Sequence, residues 1–335
     1  MPLSPDSLLL VTGATGLVGG HVVDRALSEG IRVRAIVRSH EQAGALHARG
    51  VDVVEGDLTD SSVPGRSAAG VTHVVHCAAK VGDWGPVDDF LAVNVRALET
   101  LAARLREQPS LRRFVHISSL GVYPARDHYG TDEWMPISAS GIDGYTRSKV
   151  EAEQFVVEAA RMQRFPAVIL RPGFIYGPGD RSVLPRLMDR LRRGQFRYLG
   201  DRQKLMNNTF IGNLVDAIFR ALNRDDLVGE AFNITDGRLV TKEEFVGTIC
   251  DLAGLDRPMR TVPLGIAKAL AAILETLWRW RGKAEAPILS SARIKFLGLN
   301  LDFCIDKARR ELGYTPAIDF RDAMAATVAT LVPHS

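Results

Sequence analysis

The sequence predicts a doubly wound parallel α/β sheet with an interleaved smaller C-terminal substrate lobe, and three observations support this. Residues 8–11 form a short apolar run, which is typical of a strand buried on both faces. Three glycines at a spacing of three residues follow that run and lead into a helical stretch at 17–29. Short apolar strands then alternate with helical segments, which is the pattern of a parallel sheet with crossover helices.

Composition and charge exclude several classes of protein. The 335 residues are 46% hydrophobic and 24% charged, as in an ordinary globular protein, and the net charge of +3 is too small to indicate a nucleic-acid partner. The three cysteines, Cys77, Cys250 and Cys304, lack metal-binding spacing, so no metal is expected. They cannot all pair, and the chain has neither a signal-like N-terminus nor a membrane-spanning apolar run, so a cytoplasmic enzyme is expected.

The glycine-rich turn is a candidate phosphate-binding site. Gly13 permits a tight turn, Gly16 lets the backbone approach a pyrophosphate, and Gly19 lets helix and strand pack closely. The helix start adds free N–H groups and a partial positive charge. An ordinary Gly-rich turn is the alternative, but the position between strand and helix favours a Rossmann dinucleotide site. That site would also include Thr15, Leu17 and Val18.

The end of the second strand, residues 31–37, indicates which cofactor is bound. An acidic residue here would accept the ribose hydroxyls of NAD, but the chain continues with Arg38 and Ser39. Arg38 can pair with a ribose 2′-phosphate, and Ser39 can add a hydrogen bond. A solvated arginine is the alternative. NADP(H) is therefore favoured, with NAD(H) as the second choice.

The remaining elements of the first lobe follow in order. A short helix is predicted at 42–49 and strands at 51–54, 72–76 and 111–117, with a helix at 90–107 before the last of them. Asp57 follows the third strand and could cap the next turn. The fifth strand ends in Ser118 and Ser119, at the sheet edge where open parallel sheets bind ligands.

Tyr145 and Lys149 form the most informative motif. They lie one turn apart in a helix predicted at 144–164, and therefore share a face. An ammonium beside the phenol would lower a pKa that is normally near 10, so that Tyr145 could exchange a proton near neutral pH. Ser119 would add a hydrogen bond to the substrate oxygen. Two solvated helix residues are the alternative for the pair taken alone.

Together these motifs resemble the extended short-chain dehydrogenases/reductases of the NAD-dependent epimerase/dehydratase family, over nearly the whole chain. The resemblance implies that Ser119, Tyr145, Lys149 and Asn94 are catalytic, and that Ser119 is preferred over Ser118 because it stands four residues before Tyr123. It also implies a homodimer through helices 90–107 and 144–164. The cofactor contacts that it implies are Asp57, Leu58, Ala78, Ala79, Lys80, Lys149, Tyr145, Pro172, Gly173 and Phe174.

Residues 1–171 are assigned to the dinucleotide-binding domain and 172–335 to the substrate lobe, with a strand near 230–235 that returns to the main sheet. Strand 166–170, helices at 184–193 and 214–222 and a polar stretch at 207–214 lie around the boundary. A helix at 263–280 has one polar stripe of Lys268, Glu275 and Arg279 on an apolar surface. We expect it to be buried against the lobe or a partner subunit; the alternative is a lid or a segment in peripheral contact with a membrane, for a lipid-like substrate.

The C-terminal features, with the loop around Trp84, resemble the 3β-hydroxysteroid dehydrogenase branch. That resemblance implies hydride transfer between NADP(H) or NAD(H) and a secondary alcohol or ketone on a steroid or long-chain β-hydroxy/β-keto acid. Trp84, Tyr176 and Asn208 are the expected substrate contacts, and segment 206–210 with helix 264–280 the expected apolar wall. The alternative is a nucleotide-sugar epimerase or dehydratase, which shares the same motifs.

Overall fold

The computed structural model describes residues 3–138, 142–283 and 285–331. Within them the strands are β1 (Leu8–Thr12), β2 (Arg32–Val37), β3 (Asp52–Glu55), β4 (His73–His76), β5 (Arg113–Ile117), β6 (His128–Thr131), β7 (Ala167–Pro172), β8 (Phe174–Tyr176), β9 (Tyr198–Leu199), β10 (Leu205–Met206), β11 (Asn208–Phe210), β12 (Ala231–Ile234), β13 (Val240–Thr241), β14 (Thr261–Val262) and β15 (Leu301–Phe303).

The helices in the same part of the chain are α1 (Leu17–Ser28), α2 (His40–His47), α3 (Ser62–Ala68), α4 (Val87–Leu91), α5 (Ala97–Arg106), α6 (Gly144–Gln163), α7 (Leu184–Arg192), α8 (Ile211–Leu222), α9 (Lys242–Ala253), α10 (Leu264–Trp280), α11 (Ser291–Gly298), α12 (Asp306–Glu311) and α13 (Phe320–Ala329). A π-helical turn, Ala92–Arg96, lies between α4 and α5, and a 3₁₀ turn, Leu120–Val122, follows β5.

The described residues form a seven-stranded parallel sheet in the order β12-β7-β5-β4-β1-β2-β3. Apolar clusters cover both faces: Val22 and Val23 of α1 pack on one side, and Leu98 and Leu101 of α5 on the other. From β1 the sheet extends through β2 and β3 on one side and through β4, β5, β7 and β12 on the other, so it is doubly wound, as predicted. The carboxyl ends of β1, β4, β5 and β7 therefore meet at one edge, which carries the candidate site.

The last strand of the sheet comes from far along the chain. β12 pairs with β7, with Ala231 opposite Ile169, so the C-terminal part of the chain contributes to the main sheet. The remaining strands form two-stranded pairs, including β8 with β11 and β9 with β14. These pairs bring loops of the C-terminal part to the edge where β5 and β7 end.

Two predicted segments differ from the structure. The helix expected at 90–107 is interrupted by the π-helical turn Ala92–Arg96, in which the backbone accommodates an extra residue. The polar stretch at 207–214 contains β11, and α8 begins at Ile211 rather than at 214. Both changes come from tertiary contacts, to which hydrophobic periodicity is insensitive.

Helix α10 is largely exposed within the single chain, so burial against the lobe is wrong, and burial against a partner subunit stays a prediction. Only Ala267 and Ala271 are fully buried, whereas Ile273 is 63% exposed and Trp280 80% exposed. Ile266 and Leu270 are also exposed and continue the same apolar stripe. Among the described helices, none is both long and apolar enough to cross a membrane.

Candidate active site

Tyr145 lies in the first turn of α6, whose start is strongly fixed. Asp143 caps the helix by accepting a hydrogen bond from the Thr146 backbone N–H at 2.8 Å, and the Thr146 hydroxyl bonds back to complete a capping box. A Cβ atom at Gly144 would lie 2.6 Å from the Phe90 ring, so only glycine lets α6 pack this closely on α4. The helix start therefore holds Tyr145 in one place at the end of β5.

Ser119 faces Tyr145 from the turn that follows β5. Its hydroxyl accepts a hydrogen bond from the Gly121 N–H at 3.0 Å and caps the 3₁₀ turn. Burial raises the pKa of Tyr145 to about 12, a hydrogen bond with Ser119 acts in the lowering direction, and Asp143 raises it further. The two hydroxyl groups that sequence analysis paired are therefore together in space.

Lys149 lies one turn further along α6, buried beneath this pair. Its Nζ donates to the carbonyl oxygen of Ile117 at 2.7 Å, and burial lowers its pKa to about 8 despite the opposing effects of Cys77 and Glu153. The expected lowering of the Tyr145 pKa by Lys149 is not found in this structure. Burial of the phenol is the largest effect there, and the lysine ammonium is held by the end of β5.

Ser118, the neighbouring serine, is part of a buried hydrogen-bond network. Its hydroxyl donates to Glu153 Oε2 at 2.6 Å, and the same carboxylate forms a buried ion pair with Arg171. Arg171 also donates to the Tyr123 hydroxyl at 2.7 Å. The network joins α6 to β5 and β7 beneath the site. The Ser118 hydroxyl is therefore already hydrogen-bonded within the chain, whereas Ser119 faces Tyr145.

Asn94 is buried in the π-helical turn and uses its amide within the protein. Its Oδ1 accepts from the Lys80 N–H at 2.7 Å, and its Nδ2 donates to the Lys80 carbonyl at 3.1 Å and to Ser148 Oγ at 2.8 Å. Asn94 therefore connects the segment after β4 to α6. This geometry indicates a positioning residue, because its side chain is engaged with backbone and Ser148.

The glycine-rich turn fits a dinucleotide phosphate. Gly13 has φ +69°, and a Cβ there would lie 2.9 Å from the backbone nitrogen of Ala78; a Cβ at Gly19 would lie 2.2 Å from the Gly13 oxygen. The first turn of α1 has neither a side-chain cap nor an acidic residue, so its N–H groups can serve an anion. Thr15 and Gly16 are exposed there, followed by half-buried Leu17 and Val18.

The residues expected around the adenosine lie at the ends of β2 and β3. Arg38 and Ser39 are exposed, and Ser39 caps α2 by accepting from the Gln42 N–H at 3.3 Å. Asp57 accepts from the Thr59 N–H and hydroxyl, which lower its carboxyl pKa, with a smaller lowering effect from Arg38. Asp57 thus caps the next turn, as the sequence also allowed. The following residue, Leu58, is buried.

The segment after β4 passes close to the glycine turn. The Ala78 N–H donates to Thr12 Oγ1 at 3.1 Å, and Ala78 and Ala79 are both half-buried. Lys80 pairs with Asp89 at 2.6 Å, so its ammonium is already partnered within the chain. Small side chains at this strand end leave the backbone accessible from the ligand side.

The backbone N–H groups of the segment after β7 are less available to a cofactor than expected. Gly173 N–H donates to Thr209 Oγ1 at 3.0 Å and Phe174 N–H to the Asn207 oxygen at 2.8 Å, so these two donors are engaged within the chain. A Cβ at Gly173 would lie 1.7 Å from the Asn207 oxygen. Glycine is therefore required for close packing of β8 on β11, and Pro172 ends β7 beside it.

Two of the three expected substrate residues are interior, which corrects the sequence-based expectation. The Tyr176 hydroxyl donates to Asp236 Oδ2 at 3.0 Å, and Asn208 Nδ2 donates to the same oxygen at 2.9 Å. Tyr176 is fully buried and Asn208 nearly so, as is the whole segment 206–210 expected in the apolar wall. These side chains stabilise the lobe and do not line a surface open to substrate.

Trp84 is the expected substrate residue that remains partly exposed. Its Nε1 donates to the Lys283 oxygen at 2.9 Å, and the Arg279 guanidinium lies 5.6 Å from its ring centroid. The neighbouring Asp83 pairs with Arg293 at 2.7 Å. The loop after β4 therefore contacts the end of α10 and the start of α11.

Helix α11 supplies site neighbours that sequence analysis missed. Lys295 Nζ donates to the oxygens of Gly121 and Tyr123 at 2.6 and 2.8 Å, and the Phe296 ring lies 4.9 Å from the Phe174 ring, centroid to centroid. The sequence of α11 carries no recognisable motif. Only the tertiary structure brings these residues to the turn that holds Ser119.

With this geometry established, comparison with known proteins defines the class. Residues 9–235 match the model of the NAD dependent epimerase/dehydratase family, and the chain belongs to that family. It is an NAD(P)-dependent enzyme of the extended short-chain dehydrogenase/reductase type. Among solved structures it is similar to that of gox2253, with a TM-score of 0.80 and 26% identity over 97% of both chains.

Three relatives match almost end to end. A 4-hydroxy-2-methyl-3-oxo-4-farnesyl-3,4-dihydroquinoline-1-oxide ketoreductase of Stigmatella aurantiaca is 31% identical, over 94% of each chain. A 2-alkyl-3-oxoalkanoate reductase of Stenotrophomonas maltophilia is 31% identical, over 94% of this chain and 97% of its own. A 3 beta-hydroxysteroid dehydrogenase/Delta 5-->4-isomerase of Mycobacterium tuberculosis is 29% identical, over 94% and 88%.

Proposed function

We propose that this enzyme interconverts a secondary alcohol and a ketone on a bulky hydrophobic substrate, using a nicotinamide cofactor. The observation that carries the proposal is the proximity of the Ser119 and Tyr145 hydroxyls at the sheet edge, with Lys149 buried one turn away. When bound, the nicotinamide supplies or accepts the hydride. Residues 1–171 would hold the cofactor, and 172–335 most of the substrate.

The side chains have distinct roles in this proposal. Tyr145 is protonated at neutral pH and donates its proton to the oxygen of a ketone as that oxygen becomes an alcohol; it accepts the proton in the reverse direction. Ser119 donates a second hydrogen bond to the same oxygen and stabilises the charge that develops there. Lys149 carries a buried ammonium that can hold the ribose hydroxyls of the cofactor.

A hydrophobic substrate is supported by the side chains around the pair. Trp84, Phe174, Leu264 and Phe296 are half-buried apolar residues next to the catalytic segments. The cations nearby are already occupied, Arg293 by Asp83 and Lys295 by backbone oxygens, so neither is left for a sugar-nucleotide diphosphate. The three relatives described above are named for a farnesylated ketone, 3-oxoalkanoates and a steroid, which agrees with this assignment.

The experiment is a substrate series with NADPH. We expect kcat/KM for 2-alkyl-3-oxo acids or their thioesters to rise as the chain lengthens, since each buried methylene contributes about 0.8 kcal/mol, or roughly fourfold. 3β-Hydroxysteroids with NADP⁺ test the reverse reaction, and UDP- and dTDP-sugars serve as the comparison. A response independent of chain length, or turnover of the nucleotide sugars alone, would contradict the proposal.

The finer cofactor assignment is NADP(H) over NAD(H). Its support is Arg38, exposed immediately after β2 where an acidic residue would favour NAD(H). Titration with each cofactor gives the preference directly.

We also propose a homodimer through the outer faces of α5 and α6, with a cytoplasmic location and peripheral membrane contact through α10. On α6, Phe155 and Val157 are only partly buried, and on α10 the apolar stripe is exposed.

Each proposal has its own measurement. For the homodimer, light scattering would show a dimer mass. Co-sedimentation with phosphatidylcholine/phosphatidylglycerol vesicles, lost in Ile273→Glu, would support the contact through α10.

A further inference from the structure

Helix α11 contacts all three segments that surround the catalytic pair. Arg293 reaches Asp83 in the loop after β4 at 2.7 Å, and the Phe296 ring packs at a tilt against Phe174 after β7. Lys295, between them, reaches the turn after Ser119. One short helix of the C-terminal part is therefore in contact with the segments that follow β4, β5 and β7.

The contact of Lys295 is the most specific of the three. Its ammonium donates to the carbonyl oxygens of Gly121 and Tyr123, at 2.6 and 2.8 Å. The same Gly121 donates its N–H to Ser119 Oγ at 3.0 Å. One residue thus connects the lysine to the catalytic serine through its own backbone, and charge-assisted bonds of this kind are stronger than neutral ones.

The surroundings leave Lys295 few other partners. It is half-buried, and burial lowers its pKa to about 8, with Asp143 acting in the opposite direction. Asp143 is the residue that caps α6 immediately before Tyr145. The ammonium therefore contacts the turn of Ser119 and interacts electrostatically with the cap of α6.

We propose that Lys295 is a positioning residue: by holding the carbonyl oxygens of Gly121 and Tyr123, it fixes the turn that aims the Ser119 hydroxyl at Tyr145. The C-terminal part of the chain would thereby complete the catalytic geometry as well as enclose the substrate. This inference rests on the proposed function in assigning Ser119 to catalysis. The contacts themselves are independent of the identity of the substrate.

The test uses Lys295→Met, which removes the donor, and Lys295→Arg, which restores one. Lys268→Met is the matched control, because Lys268 is an exposed lysine on α10. Without substrate, hydrogen–deuterium exchange is measured on peptides covering 119–123 and, as an internal reference, β1. With the best ketone of the series, kcat, KM and the dissociation constant of NADPH are measured for each variant.

We expect Lys295→Met to raise exchange at 119–123 by about tenfold or more, as for a local opening that loses both charge-assisted bonds of the ammonium. It should lower kcat by about 10²-fold, the scale for displacing a catalytic group by 1 Å, with NADPH affinity unchanged. Lys295→Arg should recover most of both losses, and Lys268→Met should change neither.

Unchanged exchange in Lys295→Met, or raised exchange with normal kcat, would overturn the proposal. Equal losses of kcat and of NADPH affinity would also overturn it, because they indicate general damage. If Lys295→Met does not fold, judged by thermal unfolding, Lys295→Leu, which also lacks a donor, takes its place beside Lys295→Arg. A wild-type enzyme that reduces no ketone refutes the proposed function, while the exchange measurements still decide whether Lys295 holds the turn.

Discussion

Two tyrosines of this protein have the same side-chain chemistry but differ in burial and in hydrogen-bond partner. Tyr145 is half-buried, faces Ser119 and has the buried Lys149 one turn away; burial raises its pKa to about 12. Tyr176 is fully buried and donates to Asp236, and burial together with that carboxylate raises its pKa well above the usual range. We compare the two as the Tyr145 site and the Tyr176 site.

The difference lies in what each hydroxyl is bonded to. Ser119 can donate or accept a hydrogen bond, so Tyr145 can gain or lose its proton without losing that partner. Asp236 is a carboxylate that also accepts from Asn208, Asn213 and the Phe210 N–H. It only accepts, so it holds the proton on Tyr176. The partner of each hydroxyl therefore distinguishes a tyrosine that can exchange its proton from one whose proton is held in place.

The largest expected effect is on turnover at the Tyr145 site. Tyr145→Phe removes the proton donor and should lower kcat by about 10²–10⁴-fold, the usual contribution of general acid–base catalysis. Tyr176→Phe, assayed where the protein is folded, should keep kcat near the wild-type value. Tyr129→Phe is the control, because Tyr129 is 74% exposed. Near-normal turnover in Tyr145→Phe would remove the distinction between the two sites.

The opposite result is expected for stability. Tyr176→Phe leaves Asp236 with one donor fewer in the interior and should lower the free energy of unfolding by about 1–3 kcal/mol. Tyr145→Phe removes a hydroxyl bonded to another hydroxyl at a half-exposed position and should cost less than 1 kcal/mol or so. Urea denaturation of both variants measures this. Equal destabilisation would mean that the Tyr145 site is as structural as the other.

Sequence alone predicted the Tyr145 site and misjudged the Tyr176 site for a physical reason. Tyr145 and Lys149 are four residues apart, and helical periodicity places them on one face. The sheet was equally predictable, because each strand is a short apolar run before a turn. Tyr176 meets Asp236 sixty residues further along the chain, and Lys295 meets Gly121 across 174 residues. No local pattern carries such contacts.

Helix α10 shows a second feature that the sequence pattern could not predict, namely which of its faces is buried. Its apolar residues predict an amphipathic helix, but the pattern does not say whether a given face meets protein or solvent. The buried face consists of the small residues Ala267 and Ala271, and larger residues such as Ile273 point outward. Exposure depends on what packs against the helix, and that is decided by α11 and β9 rather than by α10 itself.

The reaction proposed for the Tyr145 site requires a nicotinamide cofactor, and an Arg38 variant tests which cofactor is preferred. Arg38→Ala should weaken binding of NADP(H) by about 1.5–3 kcal/mol, or roughly ten- to hundredfold, because a hydrogen bond between charged groups is lost. NAD(H) lacks the 2′-phosphate and should bind almost as before. The control is Arg32→Ala, at the other end of β2, where the side chain donates to the Asp6 oxygen. Equal losses for both cofactors would make Arg38 a surface residue.

The smallest expected effect is a pH dependence that belongs to the Tyr145 site alone. Burial lowers the pKa of Lys149 to about 8, so in the free enzyme the ammonium is present below that pH and lost above it. A cofactor that binds the ammonium takes up a proton on binding above pH 8, so its dissociation constant should be constant below pH 8 and rise by up to tenfold per unit above it. Lys149→Arg stays charged and should show no such rise. Fluorescence titration with NADPH between pH 6.5 and roughly 9.5 measures both proteins. A flat wild-type curve would mean that the Lys149 ammonium only binds the Ile117 oxygen and does not contact the cofactor.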